Sequence, residues 1–352
     1  MDIKSHFKTY YLDFAEDLSG LAELAKRPET YFVYDKNVYE LYKKMLPEVP
    51  KERLFLLEAE EQKKTVETAL AICEQMTAMP AKRNTHLVSI GGGITQDVTG
   101  FVATSLYRGI YWTFYPSTLL AACDSCIGGK SSLNYKGFKN LLGSFYPPDD
   151  IHIYSKFFHT LSARDYASGL GEVVKFNVIA GQADFARLEQ DIESILEHDY
   201  EKLASYVQTS LNFKKRFIEE DEFDRGIRVL LNFAHTFGHA YEVGSHYAIP
   251  HGSAVAMGMV TANHISRQRG WLNEAVAERI ENVCRKILHH IELRSEWFQM
   301  EALLAAIHKD KKQTSESITA VLLKDGGSLQ VVYDIQAGEI DRAVRHMLAA
   351  VR

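Results

Sequence analysis

The sequence predicts an α/β domain on a parallel sheet over residues 1–154, followed by a mostly α-helical domain over 155–352. Three observations predict it. Short β-rich runs alternate with helical segments from 31 to 116, the order expected of βαβ units. Long segments of 3.6-residue apolar period take over from about Ser155. Pro147, Pro148 and two aspartates punctuate the chain at 148–156, where the character changes. A chain of 352 residues accommodates two domains and can bury a large core without staples.

Taken in order, 31–35 reads as a strand and 37–45 as a helix. Leu54–Leu57 is a strand and 63–79 a helix. Residues 86–90 form an apolar strand that ends at Gly91-Gly92-Gly93, with a helical stretch from about Gln96. Residues 111–115 form another strand, closed by Pro116. In the second half, Ser162 and Asp165 are N-cap signals, and 183–218 and 274–292 read as amphipathic helices. Near the end, Ile318–Leu323 and 329–332 flank Asp325-Gly326-Gly327 and read as a hairpin. No internal repeat or low-complexity segment is visible.

Composition narrows the function classes. The apolar fraction of 46% and charged fraction of 24% are those of a globular protein. A net charge of −6 and a pI near 6.2 argue against a general nucleic-acid binder. No apolar run approaches a membrane span, and the first residues lack a signal-peptide core, so a soluble, cytoplasmic protein is expected. Cys73, Cys123, Cys126 and Cys284 make no disulfide framework at this length. Cys123 and Cys126 have C-x-x-C spacing, but no second such pair completes a zinc site, so small buried thiols are expected.

His235, His239 and His251, read with Glu172 upstream, carry the most chemistry. Histidines at i and i+4 share one helix face, so spacing favours His235 and His239 as a ligand pair. His251 follows after a short connection, and Glu172 can complete the shell. Imidazole and carboxylate ligands suit zinc, and three of them leave a position open for substrate.

The turn Gly91-Gly92-Gly93-Ile94-Thr95-Gln96-Asp97 follows a strand and opens a helix. Such a turn lets the backbone approach a pyrophosphate, and the helix N-terminus favours its charge. It is not G-x-G-x-x-G, so a tight structural turn fits the residues equally well. Asp35 ends an early strand and is placed either to bind a ribose or simply to make a turn. Gly128-Gly129 permits close backbone approach beside Asp124, Lys130, Lys139 and Asn140. Lys175 lies three residues after Glu172, on nearly the same helical face. With Lys214, Arg228 and Lys311, these residues suggest a pocket for a phosphate and a carboxylate. A simple alcohol dehydrogenase has less use for that much positive charge.

These blocks, GGGITQDVTGF, YRGI, PSTLLAACDSCIGGK, KNLLGSFYPP, SGLGEVVK, IRVLLNFAHTFGH and HGSAVAMGM, resemble the dehydroquinate synthases among the sugar phosphate cyclases, in order and in spacing. The resemblance implies a Rossmann-like NAD-binding domain, a helical metal-binding domain and an active site between them. It implies Glu172, His235 and His251 as ligands of one divalent metal, zinc or cobalt, with His239 as an acid/base residue near the substrate phosphate. Lys130, Lys175 and Lys214 fall on catalytic positions. Asp124, Lys139, Asn140, Arg228, Asn232 and Lys311 fall on substrate positions, with Lys312 adjacent to the last. Asp35, Asn37, Glu61, Lys64, Gly92, Gly93, Asp97, Ser117 and Thr118 resemble NAD contacts. Arg108 resembles an arginine that crosses a homodimer to reach the substrate phosphate.

The implied reaction converts 3-deoxy-D-arabino-heptulosonate 7-phosphate to 3-dehydroquinate and phosphate. Its steps are transient oxidation, β-elimination, re-reduction and aldol closure. There are departures from the family: Gln96 replaces a usual Gly, Ser117 and Ser131 replace Thr, and Gly171 replaces Ala. Phe223 stands for Arg, Ala234 for Gly, and Ser253 for Glu or Gln. They bear on the substrate more than on the chemistry. The alternatives are a cyclase for another heptulose or hexose phosphate, a metal-dependent polyol dehydrogenase, and a non-catalytic scaffold. Retention of His239, Arg228 and Asn232 favours the dehydroquinate reaction.

Overall fold

Seven strands form the sheet that carries the first half of the chain. The computed structural model describes residues 1–78, 83–309 and 318–351, and the chain divides into two compact units, Met1–Thr160 and Leu161–Arg352. Within the first unit the strands are β1 (Asp2–Lys4), β2 (Thr9–Phe14), β3 (Thr30–Asp35), β4 (Leu54–Leu57), β5 (His86–Gly91), β6 (Tyr111–Pro116), β7 (Lys130–Tyr135), β8 (Phe138–Phe145) and β9 (Asp150–Ile153). The helices are α1 (Ser19–Lys26), α2 (Lys36–Tyr42), α3 (Val66–Ala78) and α4 (Gly93–Ser105). The sheet runs β1-β2-β9-β6-β5-β3-β4 and is parallel throughout except for β1 on β2.

β3 and β5 lie side by side inside the sheet and are buried along nearly their whole length, which is why they read as continuous apolar runs. Chain order reverses between them. From β3 the chain passes through α2 to β4 on one side, and from β5 through α4 to β6 on the other. The carboxyl ends of β3 and β5 therefore flank a topological switch point, the usual place for a ligand in an open α/β sheet. Asp35 ends β3, and Gly91 ends β5.

Five strands of this unit escaped the sequence reading. β1 and β2 alternate exposed and buried residues but sit where no helix precedes them. β9 is only four residues long and follows two prolines, yet it is inserted between β2 and β6. The β7–β8 hairpin turns at Lys136-Gly137, both with positive φ, as a two-residue hairpin loop demands. Its strands are too polar and exposed to show a clear apolar alternation.

The second unit contains α5 (Ala163–Ala180), α6 (Gln182–Leu196), α7 (Tyr200–Glu220), α8 (His235–Gly244), α9 (His251–Gln268), α10 (Glu274–Leu288) and α11 (Met300–Lys309). These are followed by β10 (Ile318–Leu323), β11 (Leu329–Ile335) and α12 (Ala337–Ala350). β10 and β11 pair as the expected antiparallel hairpin. The expected helical stretch 183–218 is two helices. His198 adopts φ 69°, and the Asp199 side chain accepts from the Lys202 amide to cap α7.

α5 and α9 are buried almost all round and form the heart of this unit. Glycines let them touch backbone to backbone. A Cβ on Gly171 would lie 1.9 Å from the Gly252 carbonyl oxygen, and one on Gly252 would lie 1.7 Å from that of Ser168. The close crossing sets Glu172 of α5 beside His251, the first residue of α9.

Candidate active site

Glu172 has no exposed surface, and its Oε1 lies 3.4 Å from His235 Nε2 and 3.5 Å from His251 Nε2. Two ligand atoms, each 2.0–2.2 Å from a tetrahedral zinc ion, sit roughly 3.3–3.6 Å apart. The spacing thus matches a three-ligand cage. Both rings are also turned correctly. His235 Nδ1 lies 3.0 Å from the Phe233 carbonyl, and His251 Nδ1 lies 3.1 Å from Glu242 Oε2. Each contact holds the ring with Nε2 towards Glu172, the outer-shell arrangement typical of metal-binding histidines. Burial disfavours a charged His251, but Glu172 and Glu242 more than offset it and push its pKa up to about 10. The residues fit a divalent cation.

His239 follows His235 by one turn, and the two rings stand perpendicular with centroids 5.4 Å apart. It does not join the Glu172 constellation. It forms a second one, with Glu242 and His251, on the Nδ1 side of His251. Helical spacing alone therefore paired the wrong histidines around the carboxylate. Glu242 was missed, although it lies three residues after His239 on the same face.

Lys175 is 2% exposed. Its Nζ lies 2.6 Å from Glu172 Oε2, donates to the Leu231 carbonyl at 3.3 Å, and sits 4.2 Å from the Phe176 ring centroid. Lys214 on α7 and Arg228 in the turn Ile227–Asn232 are also buried. Arg228 donates from its guanidinium to the Glu222 carbonyl. Its amide, with those of Arg225 and Gly226, donates to the Asp221 carboxylate. These bonds outweigh what desolvation Asp221 suffers and hold its pKa below the usual carboxylate range. Asn232 is half-buried, three residues before His235. A buried cation costs several kcal/mol unless it is paired, and Lys175 and Arg228 are held by Glu172 and by the Glu222 carbonyl.

In the first unit, Gly91, Gly92 and Gly93 make the turn from β5 into α4. A Cβ on Gly91 would lie 2.4 Å from Thr95 Oγ1, and one on Gly92 3.0 Å from Thr118 Cγ2. Thr118 Oγ1 accepts from the Ala121 amide, and the Ser117 amide donates to the Gly91 carbonyl. The hydroxyls of Ser117 and Thr95 are buried and make no hydrogen bond among the described residues. A helix N-terminus with glycine backbone, orphan hydroxyls and a switch point fits a dinucleotide. Asp35 accepts from the Asn37 and Val38 amides as the N-cap of α2, and burial raises its pKa against those bonds.

Glu61, Lys64, Asp97, Lys139 and Asn140 come together. Lys64 Nζ lies 2.6 Å from Asp97 Oδ2 and donates to Asn140 Oδ1 at 2.6 Å. Ser132 donates to Asp97, Asn134 donates to Glu61, and Lys139 lies 3.7 Å from Glu61. Ser132 and Asn134, on the unrecognised strand β7, were not singled out in the sequence. Lys130 is exposed at the start of β7, 5.9 Å from the Phe145 ring centroid, and Asp124 is half-buried in the turn Ala121–Ser125. Arg108 is exposed and left-handed, with φ 64°. Lys311 and Lys312 lie outside the described residues. The four cysteines are free, with Cys123 and Cys126 buried.

Residues 54–168 match the 3-dehydroquinate synthase N-terminal family, and 169–313 match the 3-dehydroquinate synthase C-terminal family. The chain belongs to the 3-dehydroquinate synthase family. A 3-dehydroquinate synthase from Clostridium tetani is 35% identical over 329 residues, 93% of this chain and 87% of the relative. Among solved structures, the fold matches 2-epi-5-epi-valiolone synthase from Streptomyces hygroscopicus with NAD+ and Zn2+ bound. That likeness has TM-score 0.86 and 24% identity, over 99% of this chain and 98% of the other. A 2-deoxy-scyllo-inosose synthase complexed with carbaglucose-6-phosphate, NAD+ and Co2+ matches at TM-score 0.84 and 23% identity, over 98% and 99%. The chain is thus a divergent sugar phosphate cyclase with the family's Rossmann-like and helical parts.

Proposed function

We propose that the chain is a 3-dehydroquinate synthase that converts 3-deoxy-D-arabino-heptulosonate 7-phosphate to 3-dehydroquinate and inorganic phosphate. The observation that carries this reading is the buried Glu172, flanked at 3.4 and 3.5 Å by two imidazoles and at 2.6 Å by Lys175. Glu172, His235 and His251 would hold a zinc or cobalt ion, and the β5–α4 turn with Asp35, Asn37, Glu61, Lys64, Asp97, Ser117 and Thr118 would hold NAD. When bound, the ion would supply Lewis-acid chemistry at a substrate hydroxyl and the nicotinamide reversible hydride chemistry.

The chain's own residues supply charge and proton control. Lys175 is placed to stabilise negative charge developing on the substrate oxygens nearest Glu172, with Lys130 and Lys214 as further fixed charges. His239 carries a proton at the departing phosphate. Asp124, Lys139, Asn140, Arg228, Asn232 and Lys311 bind the hydroxyls, carboxylate and phosphate of the substrate. The enzyme works as a homodimer in the cytoplasm, and Arg108 of a second copy reaches the phosphate. The exposed, left-handed placement of Arg108 supports an outward role.

A second reading, a cyclase for another sugar phosphate, is favoured by Gln96, Phe223, Ala234 and Ser253, which depart from the family pattern. The test offers the metallated protein with NAD three substrates: the heptulosonate phosphate, a heptulose 7-phosphate lacking the carboxylate, and glucose 6-phosphate. Products are read by NMR. 3-Dehydroquinate from the first alone is expected. A carbocycle formed faster from either of the others would replace the first reading with the second.

A further inference from the structure

Gln96 is 2% exposed in the first turns of α4. Its amide makes a reciprocal pair with one residue. Nε2 donates to the Ser125 carbonyl at 2.6 Å, and Oε1 accepts from Ser125 Oγ at 2.7 Å. A buried primary amide is costly unless both ends are bonded, and here both ends are satisfied by Ser125. Ser125 closes the wide turn Ala121–Ser125, in which the Cys126 amide donates to the Ala121 carbonyl. Such one-turn π segments are rare and appear frequently at functional sites. Asp124 is the residue before Ser125. The next residue of α4, Asp97, holds Lys64 and Ser132, and Lys64 in turn holds Asn140. One turn of helix, directly after the glycine turn, thus grips two segments that bear substrate positions. A glycine at 96 could make neither bond to Ser125.

We propose that Gln96 is a positioning residue. It locks the Asp124-bearing turn onto the N-terminal turn of α4, so that the Asp124 carboxylate is oriented before substrate arrives. The proposal rests on the reading of Asp124 as a substrate contact. Because the lock aims a binding group and leaves the hydride chemistry alone, its loss appears in KM for the sugar phosphate.

The test uses the metallated, NAD-loaded enzyme with Gln96→Met, Ser125→Ala, the double variant and Asp124→Asn. Amide hydrogen exchange of residues 119–127 reads the lock itself, independently of turnover. Exchange there is expected to speed up in both single variants. KM for 3-deoxy-D-arabino-heptulosonate 7-phosphate should rise about tenfold, the worth of one buried hydrogen bond. kcat and NAD affinity should stay within about twofold, and the double variant should be no worse than Gln96→Met, which alone removes both bonds. Unchanged exchange, additive effects, or equal losses in NAD affinity and KM would overturn the proposal. Ser125→Ala removes only a hydroxyl and keeps the test open if Gln96→Met fails to fold. Faster exchange in Gln96→Met together with an unchanged KM in Asp124→Asn would locate the failure in the substrate reading and remove the catalytic meaning of the lock.

Discussion

Lys175 and Glu172 form an ion pair in which neither group meets water, 2.6 Å apart and one helical turn from each other. Removing one partner of a buried pair ordinarily costs about 3–5 kcal/mol, because the other charge is stranded. With a divalent ion on Glu172 the carboxylate keeps a counter-charge. Lys175→Ala should therefore retain its metal and lose rate by about two orders of magnitude, as loss of one electrostatic donor does. Wild-type turnover would remove Lys175 from the mechanism. His235→Ala should lose the metal, and full occupancy by elemental analysis would refute that ligand. His86 makes a separate claim. Burial depresses its pKa from 6.5 to about 4, while its Nε2 meets Thr113 Oγ1 at 2.8 Å. The folded state then binds fewer protons than the unfolded one between those values. Stability falls as pH drops from about 6.5 towards 4, by up to about 3 kcal/mol from this group. His86→Gln should lose less stability than wild type between pH 7 and 4.5 in urea titrations; equal losses would contradict the assignment. At this scale the residue types of the Glu172 constellation were legible, and the family resemblance named His235 and His251, but spacing alone did not say which histidines face Glu172. That was decided by a helix crossing that spacing cannot encode.

The α5–α9 crossing places the carboxylate and His251 together, and glycines make it possible. Gly252→Ala would drive a methyl into the Ser168 carbonyl and should cost about 3 kcal/mol, with loss of metal, since both helices are packed on every side. A variant with unchanged Tm and metal content would show that the helices can part without consequence. Ala234 precedes α8 in a left-handed conformation, φ 70°. Alanine there costs about 1–2 kcal/mol that glycine avoids, offset by roughly 0.5–1 kcal/mol of extra chain entropy, so Ala234→Gly should stabilise by up to about 1 kcal/mol. A lower denaturation midpoint would disprove the strain. Elements with strong apolar patterns, such as β3, β5 and the β10–β11 hairpin, were legible in the sequence. The β7–β8 hairpin was not, because its alternation is weak and its Lys136-Gly137 turn is not one of the strong hairpin pairs. The break between α6 and α7 was hidden because His198 carries no sign of a left-handed turn.

Across the whole molecule, the chain joins a sheet with a switch point to a helical unit with a buried three-ligand constellation, and the family's sequence blocks run through both. No described helix is long and apolar enough to cross a membrane. The architecture was legible because the glycine turn, the lysines and the histidines keep their order and spacing. The substrate was less so, because burial and hydrogen-bond partners such as those of Gln96 are not displayed by the sequence. The central claim is that NAD is reduced and reoxidised within one turnover while phosphate leaves. Metallated protein with NAD and the heptulosonate phosphate should be followed for inorganic phosphate and for absorbance of NADH in the same cuvette. The account predicts steady phosphate release with no accumulating NADH. NADH rising in step with substrate loss, without phosphate, would contradict it and identify a dehydrogenase instead.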